Sequence, residues 1–264
     1  MNSHKIEVIA EIGISHNGDL DMAKKLIQKA KEAGADVAKF QLYDPKKRPD
    51  INAHPWKDVL LQSVVTRRFL RELKASCDYW QIEFMASVFD LDRINWCEEI
   101  GMSRYKIASK SLYDDRLTSK IISLGKPVIA SLGMFNLDKG LPEVFLRGSV
   151  SLLHCVTVFS KAAPLDAIRL FDVADHYEGV LFPYFGKRLS RTKVVGFSDH
   201  TPGINFSIAA MALGATIIEK HFTLDNDLPG PDHLFSLLPG ELAALCEARN
   251  EMQILWNNAL RKVV

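Results

Sequence analysis

The chain has 264 residues, of which 47% are hydrophobic, and its 33 basic and 32 acidic side chains leave a formal charge of +1. That balance gives no electrostatic basis for binding nucleic acid or an anionic membrane surface, so any anion site has to be local. No stretch reaches the ~20 apolar residues that span a bilayer, and the start lacks the pattern of a secretory signal, so a cytoplasmic location is expected.

In chain order, short apolar runs rich in β-branched residues alternate with longer amphipathic stretches, which predicts repeated βα units. A first strand over 6–11 leads into a helix over 19–33, where Met22, Leu26, Ile27 and Ala30 form one apolar stripe and Gly34 supplies the stop. A strand over 37–41 is followed by a long loop at 43–56, broken by Pro45, Pro49 and Pro55 and carrying Lys46, Lys47 and Arg48. Three consecutive cations cannot all face one ligand, so this run reads as solvated surface rather than a phosphate clamp. Next come a helix over 66–77, a strand over 83–87, a helix over 91–100, a strand over 104–108 and a helix over 114–124. Strands over 127–131 and 151–157 follow, then a second long loop at 172–191, aromatic and interrupted by Gly and Pro. A strand over 194–198, a helix over 204–213, a strand over 216–222 and a helix over 239–257 complete the chain. Eight largely apolar strands separated by helices predict an α/β fold, a (β/α)8 TIM barrel, and a single domain over 1–264 is expected because no linker composition or second core interrupts it. The four cysteines, Cys77, Cys97, Cys155 and Cys246, have no C-x-x-C spacing and read as reduced core or helix residues.

In such a barrel, polar residues at the C-terminal strand ends surround the ligand-binding mouth. Those ends offer Glu11 with His16 and Asn17, Lys39 with Gln41, Ser87 and Asp90, Lys106 with Ser109, and Ser131. Further round come His154 with Thr157, then Ser198, Asp199 and His200, then Lys220 with His221. A lysine in a buried strand must pair with a carboxylate, such as Glu11, Asp90 or Glu219, or meet an anion, because desolvating an ammonium costs several kcal/mol. Three such lysines, Lys39, Lys106 and Lys220, beside the hydroxyls of Ser109, Ser131 and Ser198 point to a phosphate, which accepts several charge-assisted hydrogen bonds. No Gly-rich P-loop is present, so a nucleotide is not implied. His200 and His221, 21 positions apart near the ends of successive strands, are placed to share a metal ion; nitrogen ligands completed by carboxylate, water or substrate oxygen suit manganese, iron, cobalt or zinc. Asp232, in a Pro/Gly-rich turn, is an acidic partner for that pair or a plain turn residue.

The segments AEIGISHNGD (10–19), AGADVAKFQ (33–41), YKIAS (105–109), GFSDHT (196–201), EKHFTLD (219–225) and PGPDH (229–233) resemble, in order, the motifs of the sialic acid synthase (N-acetylneuraminate synthase) family, from about Ile6 to Leu242. The resemblance implies a TIM barrel that condenses phosphoenolpyruvate with an N-acetylated aldose, N-acetylmannosamine or a relative, to give a nonulosonic acid and phosphate. It implies a divalent metal, manganese or magnesium, held by His200 and His221, with Lys39, Lys106, Ser109, Ser131, Thr157 and Ser198 on phosphoenolpyruvate. Glu11, Gln41 and Asp232 would then face the sugar or the reacting centre.

Some positions depart from the family pattern. Its Ser-Gly-Glu after the fourth strand is here Ser109, Lys110, Ser111, and its Tyr-Pro-Thr-Pro segment is Phe159, Ser160, Lys161, Ala162. Thr157 stands where Asn or Ser is frequent, and the loop after Gln41 is short. The family's C-terminal antifreeze-like domain, which in dimers reaches the partner's site, has no counterpart before Val264. The expectation is therefore a synthase for a different acceptor, with Lys110 meeting an acidic or phosphorylated sugar, or a barrel served by a separately encoded antifreeze-like subunit. A homodimer is implied by resemblance alone. A relative of 3-deoxyheptulosonate synthases and a binding protein without turnover are the alternatives.

Overall fold

Successive side chains of a strand point to opposite faces, so each strand here has an inner set and an outer set two residues apart. The protein, seen as a computed structural model, is described over residues 5–48, 51–136, 138–155 and 192–262. Its strands are β1 (Glu7–Gly13), β2 (Val37–Leu42), β3 (Glu83–Val88), β4 (Tyr105–Ile107), β5 (Val128–Ser131), β6 (Val150–Cys155), β7 (Thr192–Asp199) and β8 (Ile217–His221). All pair in parallel in chain order, and β8 returns to β1, closing the expected barrel. Ile9, Val37, Met85, Ile129 and Leu153 pack together as an apolar layer inside it. Two residues further along these strands lie Glu11, Lys39, Ser87, Ser131 and Cys155, so the apolar plug is roofed by polar groups. The outer set, including Ala10, Ala38, Phe40, Ala86 and Ile218, belongs to the larger core under the helices.

Helices α1 (Leu20–Glu32), α2 (Lys57–Gln62), α3 (Arg67–Trp80), α4 (Leu91–Glu99), α5 (Asp115–Ser123), α6 (Asn205–Ala212) and α7 (Pro239–Lys262) cover the described parts of the barrel. Side-chain caps start several of them. Asp19 accepts from the backbone N–H groups of Asp21 and Met22, Thr66 from Phe69, Asp90 from Arg93 and Asp114 from Leu117. On α1 the buried stripe is Ala23, Leu26, Ile27 and Ala30, with Met22 only partly covered. Within the expected loop 43–56 the chain makes short 3-10 turns at Pro45–Lys47 and Ile51–Ala53, and α2 follows directly. The expected loop 172–191 and the end of the sixth predicted strand, Thr157 included, lie outside the described residues.

Two glycines let the barrel close around the site. Gly196 on β7 lies so near β8 that an added Cβ would sit 2.2 Å from the Ile217 carbonyl oxygen and 2.8 Å from the Leu153 side chain. Gly13, at φ 56°, ends an irregularity in the β1–β2 register, and a Cβ there would press on Glu11 and Gln41 at 3.2 Å. At the opposite, N-terminal end, Arg104 joins Glu7 at 2.6 Å and Glu83 at 2.8 Å, tying β4 to β1 and β3. That end reads as stability and the other as function.

Candidate active site

The register brings the polar strand ends into contact. Glu11 is opposite Lys39 on β2 and His221 on β8; Ser87 is opposite Gln41 and Lys106; Ser198 is opposite Cys155 and Glu219. Lys39 Nζ lies 2.8 Å from Glu11 Oε2 and 3.5 Å from Glu219 Oε2, and donates to Ser87 Oγ at 3.1 Å. Lys106 Nζ donates to Ser131 Oγ at 2.6 Å and lies 3.5 Å from Glu219 Oε1. The Ser198 hydroxyl donates to the same Glu219 oxygen at 3.1 Å, and Gln41 Nε2 donates to Glu11 Oε1 at 2.9 Å. Ser109, just past β4, accepts the Gly133 N–H at 3.0 Å, and its hydroxyl lies against the Cys155 thiol.

Both lysines are 2% exposed, and burial opposes their charge. For Lys39 the adjacent Glu11 and Glu219 carboxylates outweigh burial and hold its ammonium above the ordinary lysine value. For Lys106, burial together with repulsion from Lys39 wins over Glu219, and its proton affinity drops. Burial would raise Glu219, but Lys106, Lys39 and the Ser198 hydrogen bond hold it below the usual carboxylate range.

The histidine pair meets as expected. The rings of His200 and His221 have centroids 5.1 Å apart, and Phe235 packs edge-on against His221 at 5.1 Å. Asp232 Oδ2 is 3.9 Å from His221 Nδ1, and burial with the nearby Glu11 charge pushes the Asp232 carboxyl up to about 6. Burial, reinforced by His200 and the lysines, drives His221 well below the usual histidine value, so it is a neutral imidazole. His200 lies 3.9 Å from Cys155 Sγ through Nδ1; burial lowers its proton affinity, but Cys155, Glu219 and Asp232 more than reverse this.

A divalent ion fits this corner in one respect: His221 is neutral, and its buried Nδ1 has no hydrogen-bond partner. Among the described residues no group of three or more His, Cys, Asp or Glu side chains converges as a complete ligand set. Two imidazoles would therefore need oxygen atoms from water or substrate.

One lysine expected at the mouth is elsewhere. Lys220 sits between Glu219 and His221 on β8, and alternation turns it to the outer face. There it pairs with Asp199 at 3.0 Å and donates to the Thr201 carbonyl, while Ser207 on α6 donates to Asp199 at 2.6 Å. It is a structural ion pair between barrel and helix. Asp90 likewise caps α4 and pairs with Arg93 at 3.3 Å instead of a strand lysine. His16 accepts the Gly18 N–H at 3.0 Å and packs edge-on to Phe69, and Asn17 donates to the Pro229 carbonyl at 3.0 Å, tying the β1 loop to the turn that carries Asp232.

Sequence reading named Glu219 as a counter-ion for the strand lysines, and it pairs with both. It missed two mouth residues: Cys155, read as a core thiol, and Tyr43, whose hydroxyl donates to the Leu60 carbonyl at 2.7 Å and which feels the Asp232 charge. Strand parity with Leu153 would have found Cys155. A groove on the outer wall between α1 and α3, lined by Lys24, Glu72, Tyr79 and Trp80, belongs to the helix layer. Among the described residues no helix is long and apolar enough to cross a membrane.

Residues 26–259 match the model of the NeuB family. The chain is 33% identical over 278 residues to the N,N'-diacetyllegionaminic acid synthase of Campylobacter jejuni, covering 98% of this chain and 79% of that protein. It is 33% identical over 259 residues to the human N-acetylneuraminate-9-phosphate synthase, covering 92% of this chain and 68% of that one. A crystal structure of the N-acetylneuraminic acid (sialic acid) synthetase of Leptospira borgpetersenii in complex with citrate superposes with a TM-score of 0.78 at 28% identity, covering 97% of this chain and 86% of that chain. With a family model spanning most of its length and relatives at this identity along nearly all of it, the chain is an enzyme of the synthase type and belongs to the NeuB family.

Proposed function

We propose that this enzyme condenses phosphoenolpyruvate with an open-chain N-acetylated aldose, related to N-acetylmannosamine, to give a nonulosonic acid and phosphate. The observation that carries the proposal is the buried pair Lys39 and Lys106, flanked by Ser87 and Ser131, within one mouth that also holds Glu11 and the two histidines. The relatives' names, synthases of sialic and legionaminic acids, supply the substrate class.

The lysines, with Ser109, Ser131 and Ser198, hold the phosphoryl group and stabilise charge that develops on its oxygens. C3 of phosphoenolpyruvate attacks the aldehyde carbon, forming the C–C bond, and the aldehyde oxygen takes a proton. C2 becomes electron-poor and receives water, from which Glu11 takes a proton. Glu11 is aimed for this by Lys39 on one oxygen and Gln41 on the other. The tetrahedral adduct then breaks its C2–O bond to the bridging oxygen, which leaves with the phosphate and takes a proton, while the C2 hydroxyl gives up its own proton and becomes the ketone. Gln41 and Asp232 orient the acceptor, and Thr157 is assigned to phosphoenolpyruvate by motif alone. His200 and His221 would hold a divalent metal, manganese or magnesium, which when bound supplies Lewis-acid polarisation of the acceptor carbonyl. Phosphoenolpyruvate labelled with 18O at the bridging position tests the sequence of bonds: the label is expected in released phosphate, and label retained in the sugar acid would contradict it.

Lys110 favours an acceptor bearing an acidic or phosphorylated group. It is exposed on the turn after β4, lies 4.0 Å over the Phe89 ring, and its charge reaches Asp232. Lys110→Ala is expected to raise KM for a 6-phosphorylated acceptor about tenfold while leaving the neutral sugar unchanged, in line with one exposed charge-assisted contact; equal effects on both would remove this refinement.

A further inference from the structure

The two lysines that take the phosphoryl group in the proposed reaction share one buried carboxylate that no step of that reaction uses. Glu219 Oε1 lies 3.5 Å from Lys106 and accepts from Ser198 at 3.1 Å, while its Oε2 faces Lys39 at 3.5 Å, buried and without a hydrogen bond. Both separations are those of ion pairs rather than short hydrogen bonds. Lys39 also meets Glu11 at 2.8 Å and donates to Ser87 at 3.1 Å, and Lys106 donates to Ser131 at 2.6 Å; the two hydroxyls can yield to a stronger acceptor. Lys39 and Lys106 thus stand against Glu11 and Glu219 as a buried quartet in which two cations balance two carboxylates.

We infer that Glu219 is a positioning residue that sets the strength of the phosphate site, holding both ammonium groups from behind so that the lysine pair takes the substrate but does not retain inorganic phosphate. The inference rests on Lys39 and Lys106 being the phosphate-binding pair. Charges in a buried site interact through a low effective dielectric, so a carboxylate fixed behind the cations weakens any anion bound in front of them. Removing that charge without changing its shape leaves two cations facing one carboxylate. Anions then bind more tightly, whereas loss of a merely structural brace would scatter the lysines and weaken binding.

The test is calorimetric titration of the full chain and its Glu219→Gln variant with inorganic phosphate and with phosphoenolpyruvate, circular dichroism confirming the fold. Glu219→Gln is expected to bind phosphate at least tenfold more tightly and phosphoenolpyruvate more tightly as well. Equal or weaker phosphate binding by a folded variant overturns the inference while leaving the lysine assignment standing. Should Glu219→Gln not fold, Lys106→Met and Lys106→Met/Glu219→Gln are compared; the double variant, neutral again at the site, is expected to bind phosphate at least tenfold more tightly than the single, and parity overturns the inference. A parent chain that binds neither ligand removes the lysine assignment and this inference with it.

Discussion

A lysine ammonium inside a strand must be neutralised, and the partner it finds decides whether it serves the fold or the chemistry. Lys106 finds Ser131 and a carboxylate shared with Lys39, and its proton affinity is depressed, so its charge is least satisfied without an anion. Lys106→Met is expected to weaken phosphoenolpyruvate binding roughly 10- to 100-fold, the range of one charged hydrogen bond, and to leave manganese binding unaltered. Calorimetry with each ligand separates the two. For the histidines, His221→Ala is expected to lower manganese affinity at least tenfold with the circular dichroism spectrum unchanged, read from the free manganese signal in electron paramagnetic resonance; retained affinity would remove His221 from the ligand set. Most of these residues were legible in the sequence because each ends an apolar run. The role of Glu219 was not, since a single chain read in one dimension does not show two lysines from other strands converging on it.

At the scale of the element, β8 shows why proximity in sequence misleads. Glu219, Lys220 and His221 are consecutive, but two of them face the mouth and the one between faces α6. Lys220→Met is therefore expected to cost about 3–5 kcal/mol of stability, because it strands Asp199 as an uncompensated buried charge, while changing phosphoenolpyruvate affinity little. Urea unfolding and calorimetry on the same preparation check this; a folded variant of normal stability that had lost phosphoenolpyruvate binding would return Lys220 to the mouth. The helices were foreseen where a cap and a stripe coincided, as at Asp19, Thr66 and Asp114. Helix α2, with six residues, is too short to show a period, and it falls between the expected loop over 43–56 and the expected helix over 66–77.

For the whole molecule, barrel closure is what turns eight strand ends into one site, and the fold class followed from strand count and apolar pattern alone. Packing of the outer layer also buries groups that no step of the proposed reaction uses. Burial lowers His16 to about 4 and His154 to about 4, so both are neutral when folded and regain an ordinary value near 6.5 when unfolded. The unfolded chain therefore takes up protons first as pH falls, and stability present above about pH 6.5 is lost progressively down to about pH 4, by up to roughly 1.4 kcal/mol per pH unit for each histidine. Urea unfolding free energies at pH 7.5 and 5.5 should show this loss, and His16→Asn, which keeps an acceptor for the Gly18 N–H, should reduce it; an identical pH dependence in the variant would contradict the assignment.

The most direct measurement is phosphate release from phosphoenolpyruvate by the purified chain with manganese, across N-acetylated hexosamines, their 6-phosphates and plain aldoses. Release that requires one of the N-acetylated sugars, with a product joining its carbons to the three of pyruvate, is the predicted result. Release that ignores the aldose, or no release with any of them, would contradict the proposal that this chain is a synthase of the nonulosonic-acid type.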